Sequence, residues 1–358
     1  MTEILAGDLD GTSPPGCLIA LAHGDQVSYA AGGLAVVASA TPMGWSTRTD
    51  AGSVTKVIAT TASLMGLVDA GALDLDSPIG RYLPAVTDRA MRDLTARDLL
   101  EHQGGLWEWW PLYLSGARDA DAIALAAGLP MRHRPGTGRH YSDLGFILLG
   151  ALVARLTGTD LATSVQDLVL SRFDLTTTAY AAPVPGAPVA ASSTGDRLEQ
   201  EMIRTGIPYP VAGSVEQFDR WRSYPLIGEV NDGNEYHAFG GVSGHAGLFT
   251  TAEDLLRFAT GMLHSLDGDG PVRPATAATF LEPGRDPAQA LGLRIWSLAS
   301  GPVYGHTGFP GVAFALLPQH GAAVAMITNR LHVSGPLRST EDMWLRVLAA
   351  AELELIQP

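Results

Sequence analysis

The chain has 358 residues, 46% of them hydrophobic and 17% charged, with a net charge of −14 and a single cysteine, Cys17. That acidity repels phosphate backbones and anionic lipid, so nucleic-acid and membrane-surface partners are set aside. One cysteine excludes an internal disulfide framework and any cysteine metal cluster. The N-terminus, "MTEILAGDLDG", is acidic and shows no basic, apolar export leader, which makes the cytoplasm the default compartment.

In chain order, residues 17 to 33 read as two strands joined at His23-Gly24-Asp25, a turn signal. Next, "SVTKVIATTASLMGLVDAG" carries no proline and stops at Gly71, which predicts a buried helix beginning near Ser53. Thr95 with Asp98 three residues on predicts a capped helix start. Residues 143 to 158 read as a helix apolar almost all round, ended by Gly158. From 180 to 240 the chain is rich in Pro, Ala and Ser and regains little periodicity, so it is expected to be a long surface excursion, a rim above a pocket. Residues 250 to 263 are helical, with Thr251 as cap. Three strands follow, "GPVYGHTG", "VAFALLPQ" and "AAVAMITN", and then a terminal helix. Strands at both ends and helices between them predict an α/β (α+β) fold: an antiparallel sheet of five or more strands flanked by terminal helices, with an inserted all-helical domain. The expected division is 1–60 plus 235–358 for the sheet domain and 61–234 for the helical one.

Lys56 is the only lysine among 23 basic residues. Arginine supplies charge everywhere else, so this position points to a need that arginine does not meet. Lysine can lose its proton in a protein interior and arginine cannot. Ser53 lies one helical turn before Lys56 on the same face, which lets the hydroxyl and amine meet at a helix start. A serine beside a lysine base is one way to make a nucleophile, although a bare Ser-x-x-Lys is a weak motif.

Two more elements strengthen it. "RHYSDLGF" places Tyr141, Ser142 and Asp143 before a buried helix, and "YGHTGFPG" places His306, Thr307 and Gly308 on a strand. In this order the three elements resemble the serine β-lactamase and penicillin-binding-protein superfamily, in particular its class C branch with esterases and D-Ala-D-Ala carboxypeptidase-like members. "DLLEHQGGL", "FDLTTTAY" and "GGVSGHAGLFTTAEDLLRF" are similar to further family segments, so the resemblance spans about residues 15 to 350.

The resemblance implies that Ser53 forms an acyl-enzyme, Lys56 is the base or proton relay, and Tyr141 is the second proton-transfer group. It further implies that His306 replaces the lysine opening the third motif, as in family esterases, and that the Ser53 and Phe309 N–H groups form the oxyanion hole. Substrate contacts are then expected from Asp143, His306, Thr307, Gly308, Phe309 and Trp107. A neutral tyrosine beside Lys56 is expected to have a lowered pKa.

Asp143 departs from the family, which usually ends the second motif in Asn. An ionised carboxylate cannot donate to a substrate carbonyl. Either Asp143 turns preference toward esters and holds Lys56 protonated, or it simply caps the following helix. Trp107, Trp109 and Trp110 form either an aromatic wall for an acyl group or loop packing. His245 either faces the site or makes a structural hydrogen bond. The remaining histidines, His133 and His140 among them, show no ligand spacing, so neither a metal nor another cofactor is expected. The expected activity is a serine hydrolase working through an acyl-enzyme, a carboxylesterase on small acyl esters. Its rivals are a D-Ala-D-Ala carboxypeptidase or β-lactamase-type amide hydrolase, a cytoplasmic biosynthetic acyltransferase, and a non-catalytic acyl-binding module. The expected partner is a small-molecule acyl substrate.

Overall fold

The computed structural model describes residues 14–84, 86–180, 188–333 and 335–356. The N-terminal stretch on which the export reading and the expected N-terminal flanking helix rest lies outside these residues.

Seven strands form one antiparallel sheet. They are β1 (Gly16–His23), β2 (Gln26–Val36), β3 (Thr41–Pro42), β4 (Arg294–Leu298), β5 (Gly301–Gly308), β6 (Val312–Leu317) and β7 (Ala322–Thr328). Their spatial order is β3-β2-β1-β7-β6-β5-β4, so the two chain ends meet where β1 pairs with β7, Cys17 opposite Thr328 and His23 opposite Ala322. The hairpin falls at Gly24-Asp25 as expected, and β5 has the bounds read from the sequence.

Alternation sorts the central strands into two cores. Leu18, Ala20, Phe314, Leu316, Ala325 and Ile327 face one side, while Ile19, Leu21, Ala315, Leu317, Val324 and Met326 face the other. Because both faces are buried, these strands read as continuous apolar runs rather than as alternating ones. A helix at Ala252–Asp267 packs on the first face, with Phe258 edge-on to Phe314 at 5.6 Å between ring centres. The terminal helix Thr340–Ile356 packs on the second through fully buried Trp344, 6.0 Å from Trp296. Strand β4 had no sequence signal because its pattern is only half buried, yet it closes the sheet edge beside β5.

The first core continues away from the sheet into the helix Asp143–Thr157, whose residues Leu144 and Phe146 to Gly150 are all buried. Gly158 ends it in the left-handed conformation, and Thr95 and Thr251 cap their helices as the sequence predicted.

The 180–240 stretch differs from expectation. Residues 181–187 lie outside the described residues, but the remainder holds a helix at Arg197–Thr205, another at Gly233–Phe239, and a strand pair Ala191–Thr194 with Pro225–Ile227. Arg222 fastens it down: its Nε and Nη2 reach Asp196 Oδ1 at 2.9 and 2.6 Å, and its Nη1 donates to Val230 O. The Asp196–Arg222 pairing joins segments 26 residues apart, which hydropathy alone does not show.

Candidate active site

The short strand Thr49–Asp50 pairs with Leu248–Thr250 and delivers the chain to Gly52. Gly52 has φ +51, and a Cβ there would meet Pro310 at 2.5 Å, so the turn before Ser53 needs glycine. Asp50 accepts the Gly52 N–H at 2.8 Å and the Asn231 N–H at 2.6 Å, which ties the turn to the 180–240 stretch. A 3-10 turn (Gly52–Val54) is followed by a π-helical turn (Lys56–Thr61), and regular α-helix begins only at Ala62. The sequence predicted one plain helix here. The widened turn is accompanied by a Thr61 hydroxyl bond to the Lys56 carbonyl at 2.9 Å, and such bulges favour functional sites.

Lys56 is fully buried. Its Nζ lies 2.9 Å from Ser53 Oγ, 3.1 Å from the His245 carbonyl and 2.7 Å from Asp143 Oδ1. The Tyr141 phenol is within hydrogen-bonding reach of both Ser53 and Lys56. Four acceptors thus surround an ammonium with three protons, so one of them goes without a Lys56 proton and a hydroxyl can turn its own proton toward another acceptor. Burial alone would pull the Lys56 pKa down, but Asp143 and Tyr141 outweigh it and the net shift is upward. Burial raises the Tyr141 phenol more than Lys56 lowers it. The expected depression of Tyr141 is therefore not what the surroundings produce: at rest the pair is an ammonium beside a neutral phenol.

Asp143 opens its helix, but the cap is Ser142, whose Oγ accepts from Gly145 N at 3.2 Å and donates to Trp107 O. The Asp143 carboxylate is spent on Lys56 rather than on capping. His102 accepts the Ser142 N–H through Nδ1 at 3.0 Å, and its ring packs 4.5 Å from Tyr141. Burial and Lys56 keep His102 neutral.

On the opposite wall, β5 ends against the Ser53 turn. A Cβ on Gly308 would lie 2.2 Å from Ala51 O and 3.6 Å from Ser53 N, and one on Gly52 would lie 3.3 Å from Phe309 N. The Ser53 and Phe309 amides therefore sit on backbones in close contact, as an oxyanion pair requires. His306 Nδ1 donates to Thr307 O at 2.7 Å, and burial pushes its pKa down to about 3, so this position carries no charge.

A cavity of about 390 Å³ opens above Ser53. Ser53, Tyr141, Asp143 and Phe309 line it, while His306, Thr307, Gly308 and Trp107 do not. Trp107 is held aside, with its indole N–H on Pro130 O, its ring edge-on to Trp110 at 4.9 Å and Arg132 over its face. Trp109 takes the wall position instead. The 180–240 stretch supplies Leu198, Glu199, Met202, Tyr209 and Asp232, so it does rim a pocket as expected. Its helix had a legible signal in "RLEQEMIRT", where Leu198 and Met202 fall one turn apart. His245 lines the cavity and also makes structural contacts: Nε2 lies 3.1 Å from Asp232, and Nδ1 lies 2.5 Å from Ser243 Oγ.

Sequence spacing also gave no sign that Glu108, His133 and His140 would meet. The fold places their ligating atoms within 4.8 Å of one another, outside the cavity.

The sequence matches the family described as Beta-lactamase over residues 2–348. It is 32% identical to the N-acetylmuramyl-L-alanine amidase of Bacillus subtilis (strain 168) over 320 residues, 81% of this chain and 70% of that one. It is 29% identical to a putative D-alanyl-D-alanine carboxypeptidase of Escherichia coli (strain K12) over 311 residues, 79% and 69% of the two chains. In structure it resembles a class C beta lactamase from Rhodobacter sphaeroides (TM-score 0.72, 19% identity, 99% of both chains). It also resembles the D-alanine carboxypeptidase AmpC from Burkholderia cenocepacia (TM-score 0.72, 20% identity, 98% and 97% of the two chains). At these identities the structural likeness speaks for the fold alone, but the match in sequence covers almost the whole chain. The chain belongs to the beta-lactamase family and is a serine hydrolase of the β-lactamase and penicillin-binding-protein kind.

Proposed function

We propose that the protein is an amidase acting through an acyl-enzyme on Ser53, with an amide between an acyl group and an amino acid as its substrate. The observation that carries this reading is the contact of Ser53 Oγ with Lys56 Nζ at 2.9 Å beneath the Tyr141 phenol. In this reading Ser53 attacks the carbonyl carbon, and its proton passes into the Tyr141–Lys56 pair. The oxygen that becomes negative is held by the Ser53 and Phe309 N–H groups, an arrangement worth a few kcal/mol. The pair then returns a proton to the leaving amine, and water releases the acyl group by the reverse path. Because surroundings push both Lys56 and Tyr141 upward, the pair must shed one proton before it can accept one from Ser53. Activity therefore rises with pH on the alkaline side of neutrality.

The relatives' names favour an amide over the small ester that the sequence pointed to, since both name cleavage at an amino-acid residue. Between those two, the cavity favours an amide within a longer donor over a terminal dipeptide. A free substrate carboxylate calls for a cation, and none of the described cavity-lining residues is an arginine or lysine. Arg330, beside Phe309, is buried and spends its Nε on Phe309 O and its Nη1 on Arg338 O. Ester hydrolysis remains the second reading, carried by Asp143. Its carboxylate, engaged with Lys56, offers no donor to a substrate amide carbonyl.

The test is product analysis with three donors at equal concentration: an N-acetylmuramyl-L-alanine peptide, an acyl-D-alanyl-D-alanine peptide and a p-nitrophenyl ester. Release of L-alanine peptide at the highest kcat/KM supports the amidase. Exclusive turnover of the ester overturns it in favour of the second reading, and preferential release of D-alanine overturns the argument from the missing cation.

A further inference from the structure

Outside the lining of the Ser53 cavity, and next in sequence to Tyr141 at His140, the fold gathers three side chains of metal-ligating type. We propose that Glu108, His133 and His140 form a site for one divalent transition-metal ion of borderline softness, such as Zn²⁺, Ni²⁺ or Co²⁺, which clamps the 131–140 loop to the 102–108 segment.

The side chains already converge. The His133 and His140 rings stack 3.5 Å apart and only 3° from parallel, and Glu108 Oε1 lies 3.4 Å from His133 Nε2. All three ligating atoms fall within 4.8 Å of one another. Ligands about 2.0–2.2 Å from a common ion stand roughly 3–4 Å apart, so the separation is already right, and one ring must tilt out of the stack to aim both lone pairs at one ion.

The surroundings hold this arrangement before any ion arrives. Arg132 Nη1 donates to Glu108 Oε2 at 2.5 Å, which turns the carboxylate so that Oε1 faces His133. A partner of this kind behind a ligating carboxylate is a usual feature of metal sites. The backbone is tied down on both sides. His133 N donates to Gly105 O at 3.0 Å, Gly136 N to Gln103 O at 2.8 Å, His140 N to His102 O at 2.8 Å, and Asp143 N to Glu108 O at 2.8 Å. Rigid support of this sort is what a metal site needs, since a ligand set left loose loses its affinity.

The donor set selects the ion. Two imidazoles and one carboxylate suit zinc, nickel or cobalt, whereas calcium and magnesium take oxygen ligands. Three protein ligands leave positions for water, and all three side chains are half-buried, so an ion can enter from solvent. The site stands apart from the acyl chemistry, because none of the three residues lines the Ser53 cavity. Its effect is mechanical: His140 directly precedes Tyr141, and the Glu108 carbonyl holds the Asp143 N–H.

The experiment uses the full untagged chain, stripped with chelator and dialysed. Co²⁺ is titrated while the visible absorption is read, and Zn²⁺ is titrated by calorimetry and by thermal melting. The expected result is one saturable site per chain, a cobalt band that Zn²⁺ abolishes, and a melting temperature raised by Zn²⁺. His140→Ala and, separately, Glu108→Gln should each weaken Zn²⁺ at least about tenfold, and Arg132→Gln should weaken it roughly 10–100-fold. Fluorophosphonate labelling of Ser53 in each variant reports that the fold is intact. Absence of saturable binding below millimolar metal overturns the proposal. So does binding that survives both His140→Ala and Glu108→Gln unchanged in folded protein.

Discussion

Two buried charge clusters flank the cavity, and they are built to opposite ends. Around Arg222, every donor group of the guanidinium is used, on Asp196, Val230 O and Asn231 O, and Asp196 also takes the Arg222 N–H and His237 Nε2 at 3.0 Å. Around Lys56, four acceptors compete for three protons, and one of them is the Ser53 hydroxyl facing open space. Arginine cannot give up its proton and lysine can. Both clusters therefore bury a cation, but only the second has a removable proton and an unsettled hydrogen bond. Burial of charge makes structure, and a spare proton makes chemistry.

The largest expected effect breaks the second cluster at its reactive end. Ser53→Ala should lower kcat by roughly 10⁴–10⁶, with folding unchanged by thermal melting. The next compares the two cations directly. Lys56→Arg keeps the charge and removes the transferable proton, so kcat should fall by about 10²–10⁴. Arg222→Lys, read by denaturant unfolding, should cost about 1.5–3 kcal/mol of stability, because the ammonium keeps the charge but cannot replace the fork of bonds to Asp196. Equal losses of kcat in these two variants, measured where both are folded, would erase the distinction drawn here.

A smaller effect tests what sets the protonation of the pair. Asp143 holds the Lys56 pKa up, so Asp143→Asn should move the alkaline rise of kcat/KM to lower pH. A rise at unchanged pH would show that Asp143 does not govern that proton. The smallest lies in the carboxylate behind His245. Glu235 is fully buried, and burial raises its pKa to about 8. Its native form thus keeps a proton that the unfolded chain loses above about 4.3, and stability falls as pH rises from there through about 8. Glu235→Gln should flatten that part of the melting-temperature profile.

Much of this was legible in the sequence because it rested on local or periodic signals. The hairpin at Gly24-Asp25, the caps at Thr95 and Thr251, and strand β5 each depend on a few adjacent residues. Ser53, Lys56, Tyr141 and Asp143 could be placed together because one turn of helix and one family motif order bring them there. What stayed hidden depended on distant partners. The strand pair Ala191–Thr194 with Pro225–Ile227 is held beside the Asp196–Arg222 pair, 26 residues apart, and no hydropathy window sees that. Trp107 and Trp109 are two residues apart, and contacts of Trp107 with Pro130 O, Trp110 and Arg132 turn it from the cavity. The net upward shift of Tyr141 reflects burial, which the motif does not encode.

The most direct measurement of the central claim is acid quenching during turnover of an N-acetylmuramyl-L-alanine peptide, followed by intact-mass and peptide mapping. The account predicts a single acyl adduct on Ser53 that builds up at early times and is absent from Ser53→Ala. An adduct on another residue, or turnover in Ser53→Ala at the wild-type rate, would contradict it.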